Sequence, residues 1–363
     1  ALNDRRDRKG RKYAYPRVIS STTDDFFEYI EAHYADRIPV YRGTIESWWA
    51  FGPASGAYEA GINKKNHVRL PAAEALASQA SLFVPGAKYP YERLLAAYDH
   101  MLLFDEHTWS PNPQLEDNEQ WNWKRNLALT CDRLTDRILD QALTAIGRCI
   151  PTQGPALAVH NTLSWTRSDV VRVDRSLLPV CFEIIDPETG KSVPYQETDE
   201  GTVVFFAENV PPHGYKMYRI AECAVPPQFA SELAVDGHTM ENRFYKITFD
   251  ASGSIRSILD KRNGNREMVD ERFPHGLNQF VYYTTKRCRA DVLSEHTVGK
   301  AKLTGKRGAV MAVMTAEGTC EGAHSVVRKV ILYDAIPRID IVNEVDKKGA
   351  PYFYAQDEEG FFT

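Results

Sequence analysis

The sequence predicts a multidomain α+β protein: the end of a partial α/β barrel, then a three-helix bundle, then an antiparallel β-sandwich-like region. Three observations lead there. Within residues 1–56 a capped apolar helix stands between two short apolar segments, and residues 57–150 carry helical periodicity interrupted by breakers. From 151 to 363, short runs rich in β-branched and aromatic residues recur between Pro, Gly and Asn. A length of 363 residues suits two or three domains better than one. The first and last regions read as incomplete, because one β-α-β unit cannot bury a sheet by itself and residues 356–363 do not close a strand pattern.

Each element has a local reason. Val18, Ile19 and Ser20 form a short apolar segment, and Ser21 and Thr22 stand three residues before Asp24 and Asp25. That spacing marks a helix start, because the hydroxyl accepts from the first-turn backbone while the acid reaches back. Phe26, Phe27, Tyr29 and Ile30 give this helix a side to bury, and Ile38, Pro39, Val40 and Tyr41 return as a β segment. Its sheet partners are expected upstream of Ala1, and without them the apolar surface from 18 to 40 invites association. Helices are predicted over about 57–82, 90–104 and 117–146, with Pro85 and Gly86 dividing the first two. In the third, Leu127, Cys131, Leu134, Ile138, Ala142 and Ile146 make one continuous stripe. Strands are predicted at 156–159, 169–173, 202–206, 215–220, 244–249, 325–333 and 338–343, with turns at Asp250 to Gly253 and Lys261 to Gly264.

Composition narrows the functional classes. Hydrophobic content of 43% and charged content of 26% are ordinary for a globular protein. A net charge of -5 and a pI near 6.1 argue against a nucleic-acid partner, whose footprint is basic. No apolar run approaches the roughly 20 residues of a membrane span, so no membrane partner is expected. The six cysteines show no CxxC pair, which excludes zinc-finger spacing and points to buried thiols in a reducing, cytoplasmic setting.

The sharpest chemical feature is the end of the second helix. An apolar run closes on Asp105, Glu106 and His107, and Ser110, Pro111, Asn112 and Pro113 stop it. A histidine just past a packed helix end has a fixed direction and is exposed, as a metal ligand or substrate contact must be. The same residue in the same place could instead cap helix carbonyls. Arg42, Glu46, Trp48 and Trp49 follow the second β segment, where loops of α/β folds line active sites; the two indoles serve equally well as packing.

Two further stretches join these: Asn63 to Glu74 in the first long helix, and Glu241 to Asp250 with Gly253 to Lys261 in the β region. Taken in order with Val18 to Ile30, Ile38 to Gly43 and the cluster ending at His107, they resemble glycoside hydrolase family 38, the retaining α-mannosidases. The resemblance implies a zinc ion held by two histidines and two aspartates that grips mannose hydroxyls, with one Asp as nucleophile and another carboxyl as acid/base. It places His107 at the second ligand histidine; Arg42, Glu46, Trp48 and Trp49 are candidates for a sugar-facing wall by their loop position alone. The remaining ligands, the nucleophile and the acid/base residue are expected upstream of Ala1, so no catalytic residue falls in this chain and by itself it should be inert toward mannosides. Typical members have a sugar-contacting aspartate after the ligand histidine, but here Thr108 and Trp109 follow; Asp105 or Glu106 could supply that carboxylate instead. The implied partners are an oligosaccharide or mannoside substrate and an N-terminal catalytic portion, with homo-oligomerisation left open. A second reading is a carbohydrate-binding or scaffolding portion without chemistry.

Overall fold

A computed structural model of the chain describes residues 4–12, 18–41, 56–106, 119–285 and 292–348. It forms two compact units, one of Ala1–Lys65 and His100–Thr130, the other of Asn66–Asp99 and Cys131–Thr363.

The first unit opens with α1 (Thr23–Tyr34). The predicted cap is present: Thr22 Oγ1 accepts from the Asp25 N–H at 3.2 Å, and the Asp25 carboxylate accepts from the Thr22 N–H at 3.0 Å. Hydrogen bonds from the Thr22 backbone N–H and the Thr22 side chain hold the Asp25 carboxyl below the usual range. The expected buried side does not form, since no residue of α1 is buried and Phe26, Phe27 and Tyr29 are more than half exposed. Residues 18–22 and 38–41 are not strands either. An apolar segment becomes a strand only when another strand takes up its N–H and C=O groups; none among the described residues does so, and Val18, Ile19, Ile38 and Val40 are exposed, as expected of segments without their sheet partners.

Three helices follow close to their predicted bounds: α2 (Ala57–Phe83), α3 (Tyr91–Asp105) and α4 (Glu119–Cys149). In the first unit their adjoining ends enclose Phe104, Leu127 and Ala128, packed by Ala60 and Ile62. In the second unit Leu70, Ala73, Ala77, Ala80, Leu94, Ala97, Cys131, Ile138 and Ala142 are buried. The alanines let helix axes approach, and each large residue there contributes roughly 1.5–3 kcal/mol. Each pair of helices is also tied by polar contacts: Arg69 to Asp132 at 2.7 Å, Tyr98 Oη to Glu74 at 2.6 Å, and Arg93 to Gln141 at 2.5 Å.

The β region of the second unit holds two face-packed pairs of sheets. The first comprises β1 (Ala156–Asn161), β2 (Arg167–Asp174), β3 (Phe182–Asp186), β4 (Lys191–Ser192), β5 (Tyr195–Glu197), β6 (Thr202–Val210) and β7 (Gly214–Glu222). Sheets β1-β7-β3-β4 and β2-β6-β5 close over Phe182, Ile184, Val203, Phe205, Tyr218 and Ile220. The second comprises β8 (Ala234–Asp236), β9 (Thr239–Glu241), β10 (Tyr245–Phe249), β11 (Ile255–Asp260) and β12 (Arg266–Glu267), facing β15 (Lys302–Arg307), β16 (Met311–Cys320), β17 (Ala323–Tyr333) and β18 (Ile339–Lys347). Met240, Ile247, Ile255, Met314, Val330 and Leu332 fill its core. A ribbon of β13 (Val281–Thr285) and β14 (Val292–Thr297) completes the set, and every strand pairing is antiparallel. Val204, Val310, Met311 and Tyr333 join the two sandwiches.

Both predicted turns are present. Asp250 Oδ1 accepts from Ser252 N at 2.9 Å and Ser254 N at 3.0 Å, and Gly253 sits at φ +81°. Asn242, buried, donates to Tyr333 O at 2.6 Å while its Oδ1 accepts from Phe244 N at 2.8 Å and Tyr245 N at 2.7 Å. The expectation of uniformly buried thiols is corrected: Cys131 and Cys320 are buried, Cys181 and Cys223 half-buried and Cys149 exposed, while Cys288 lies outside the described residues. Among the described residues no helix is long and apolar enough to cross a membrane.

Candidate functional site at the end of the second long helix

Buried positions along α2 run 59, 63, 66, 70, 73, 76, 77 and 80, a single helical stripe. Its later members are Leu and Ala, but its first three are Glu59, Asn63 and Asn66. The stripe of α4 behaves alike, with Lys124 preceding Leu127, Cys131, Ile138 and Ala142. In the first unit, the end of α3 therefore meets polar neighbours beside the apolar cluster around Phe104.

Asn63 Nδ2 donates to Asp105 Oδ1 at 2.8 Å and reaches Met101 O at 3.5 Å. The amide oxygen of Asn63 is buried and finds no hydrogen-bond partner among the described residues. Lys124 is only 2% exposed and lies 5.9 Å above the Phe104 ring. Its ammonium donates to Leu103 O at 3.3 Å and to Glu106 O, and stands 3.6 Å from the Glu106 carboxylate. It supplies donors to carbonyls that the end of α3 leaves unpaired and complements the negative end of the helix dipole. Burial pulls the Lys124 pKa down, opposed by the charges of Glu106 and Asp105. Arg125 pairs with the buried Glu59 at 2.9 Å.

Asp105 and Glu106 are both exposed, yet each is anchored from beneath. Asp105 accepts from a neutral amide, which orients its carboxylate. Arg42, Trp48, Trp49 and His107 lie outside the described residues. Sequence reasoning did not assign Asn63, Lys124 or Glu59, although each betrays itself as a polar residue on an otherwise apolar helical stripe. Among the described residues no group of three or more His, Cys, Asp or Glu side chains could hold a metal ion. A carboxylate and an amide oxygen at the end of α3 are too few donors for zinc, which takes four ligands in structural sites and three with water in catalytic ones.

The fold itself has solved counterparts. A glycosyl hydrolase family 38 protein from Enterococcus faecalis superposes with a TM-score of 0.60 at 14% identity, over 90% of this chain and 47% of that one. An alpha-mannosidase from Enterococcus faecalis V583 gives 0.61 at 14% identity, over 90% and 46%. The chain thus spans about half the length of the structures it matches. No family model matches the sequence, and no curated protein matches it significantly.

Proposed function

We propose that this chain is the helical and β-rich portion of a family 38 glycoside hydrolase that cleaves α-mannosides with retention and zinc assistance. The observation carrying the proposal is the shared fold across 90% of the chain, at TM-scores of 0.60 and 0.61. In this reading residues 1–56 end the catalytic barrel, 57–150 are the middle helical domain and 151–363 the C-terminal β region. His107 is a zinc ligand, and Asp105, Glu106, Arg42, Trp48 and Trp49 contact the sugar. The catalytic carboxylates and the other zinc ligands belong to the portion of such an enzyme that precedes this one. What supports a sugar-contacting role is the pair of anchored carboxylates at the end of α3, since carbohydrate hydroxyls are held by oriented acceptors.

The test uses the longer protein. With His107→Ala, bound zinc by atomic absorption and hydrolysis of an aryl α-mannoside should both fall by at least an order of magnitude. Unchanged zinc content would remove His107 from the metal site. With Asp105→Asn, KM should rise more than kcat falls, because one oriented acceptor is weakened.

The second reading, carbohydrate binding without chemistry, has its own observation. A cleft of about 430 Å³ between the two sandwiches is lined by Asp186, Ser192, Phe206, Glu208, Arg243 and Asp334, and Ser192 Oγ is buried there without a partner among the described residues. Calorimetry of this chain with manno-oligosaccharides separates the readings: tight binding here favours a binding module.

A further inference from the structure

We propose that Cys181 and Cys223 are a dithiol pair that closes into an intramolecular disulfide, cross-linking β3 to β7 within the first sandwich. The geometry is already assembled. Phe182 pairs with Glu222 and Ile184 with Ile220 in the antiparallel ladder, so the next step outward sets Cys181 opposite Cys223. The Cys223 N–H donates to Cys181 O at 3.2 Å, and the two sulfurs are 2.7 Å apart. Directly opposed residues in such a ladder have Cα atoms about 4.5–5.5 Å apart, within the span that a disulfide bridges without backbone movement.

The Cys181 end is also held from outside the ladder. The Arg175 guanidinium donates to Leu178 O at 3.2 Å, Pro179 O at 3.0 Å and Val180 O at 2.9 Å, pinning the three residues that lead into Cys181. The same guanidinium lies 5.4 Å above the Phe182 ring, and Tyr195 stacks on that ring at 4.6 Å while donating to Phe182 O at 2.8 Å. A pair at random positions would lose conformational freedom on bonding. This pair has already lost it on folding, which favours the bond.

The reaction is thiol–disulfide exchange with a small disulfide such as oxidised glutathione. One cysteine thiolate attacks a sulfur of the oxidant, expelling one glutathione thiol and leaving a mixed disulfide. The second cysteine attacks the protein sulfur and expels the other glutathione. Two protein thiols become one S–S bond, and their two protons end on the two glutathione thiols. The hydrogen bond with Cys181 and burial push the Cys223 thiol up to about 11, so the exchange should quicken as pH rises above neutrality. Closure ties together residues 42 apart in sequence, enclosing β3 to β7. The pairing would make the first sandwich suited to an oxidising compartment, contrary to the sequence-based expectation of a reducing one.

The experiment equilibrates the folded chain in glutathione buffers from fully reduced to fully oxidised, alkylates remaining thiols and measures intact and peptide masses. The expected result is loss of two of the six thiols and a peptide joining Cys181 to Cys223, with a melting temperature roughly 5 °C or more above the reduced form. Cys181→Ser should abolish the cross-link and leave Cys223 as a glutathione mixed disulfide, and Cys223→Ser should do the converse. Full alkylation of both residues after oxidised glutathione, or a cross-link from either to another cysteine, would overturn the proposal.

Discussion

Lys124 offers the most direct test of how the end of α3 is held. Replacing it with Met keeps the stem over Phe104 but removes donors from Leu103 O and Glu106 O. Losing two charge-assisted hydrogen bonds at part-buried carbonyls is worth a few kcal/mol, and relief of the ammonium's own desolvation returns part of it. The Glu106 carboxylate is 44% exposed, so its ion pair adds little. The net cost of Lys124→Met should be about 1–2 kcal/mol. Lys124→Ala also opens a cavity beside Phe104 and should cost about 3–4 kcal/mol. Urea unfolding at pH 7, followed by helical circular dichroism, measures both. A second arm uses pH. The folded-state pKa of Lys124 lies below its ordinary 10.5, so between the two values the unfolded chain binds more protons. Stability attributable to this residue must therefore rise with pH in that window. Wild type should gain on Lys124→Met as pH climbs toward that value. A Lys124→Met protein as stable as wild type at neutral pH, or parallel alkaline profiles, would refute the argument.

Three other outcomes follow from the β region. Asn242→Ala removes one donor and one shared acceptor at a buried turn and should cost about 2–3 kcal/mol by urea denaturation, whereas an exposed substitution costs little. Gly253→Ala meets two penalties, a φ of +81° and an Ala316 Cβ at 2.3 Å from the new methyl, and should lose about 2–4 kcal/mol. For Asp250, burial acts to raise the carboxyl, but hydrogen bonds from Ser252 and Ser254 and the Arg256 charge hold it below the ordinary 3.8. Its stabilisation is present above that value and fades as pH falls through the folded pKa, so the gap between wild type and Asp250→Asn should narrow in acid titrations followed by fluorescence.

Most helices and turns were legible because their determinants are local. The Thr22–Asp25 cap, the stripe from Leu127 to Ala142 and the turns at Gly253 and Gly264 all act over a few residues. β16 was not legible: Met311, Ala312, Met314, Ala316 and Gly318 are weak strand formers, yet β15 and β17 pair it on both sides. Val18 to Ser20 and Ile38 to Val40 are apolar enough for strands but have no strand partner among the described residues, so their state depends on segments that the local sequence does not supply. At the candidate site, the carboxylates of Asp105 and Glu106 could be picked out from their place at a helix end. What holds them could not, because Asn63 and Lys124 lie 42 and 18 residues away.

By itself, then, the sequence determined where helices begin and end, which face of α4 is apolar and where the β hairpins turn. These follow from capping, periodicity and backbone preference, which are settled within a turn or two of chain. Tertiary structure decided which strands share a sheet, that the Lys124 ammonium is buried against the end of α3, and that Cys181 faces Cys223. Each of those requires distant segments to be closed against one another, with the entropy of closure offset by a core that only the folded chain possesses.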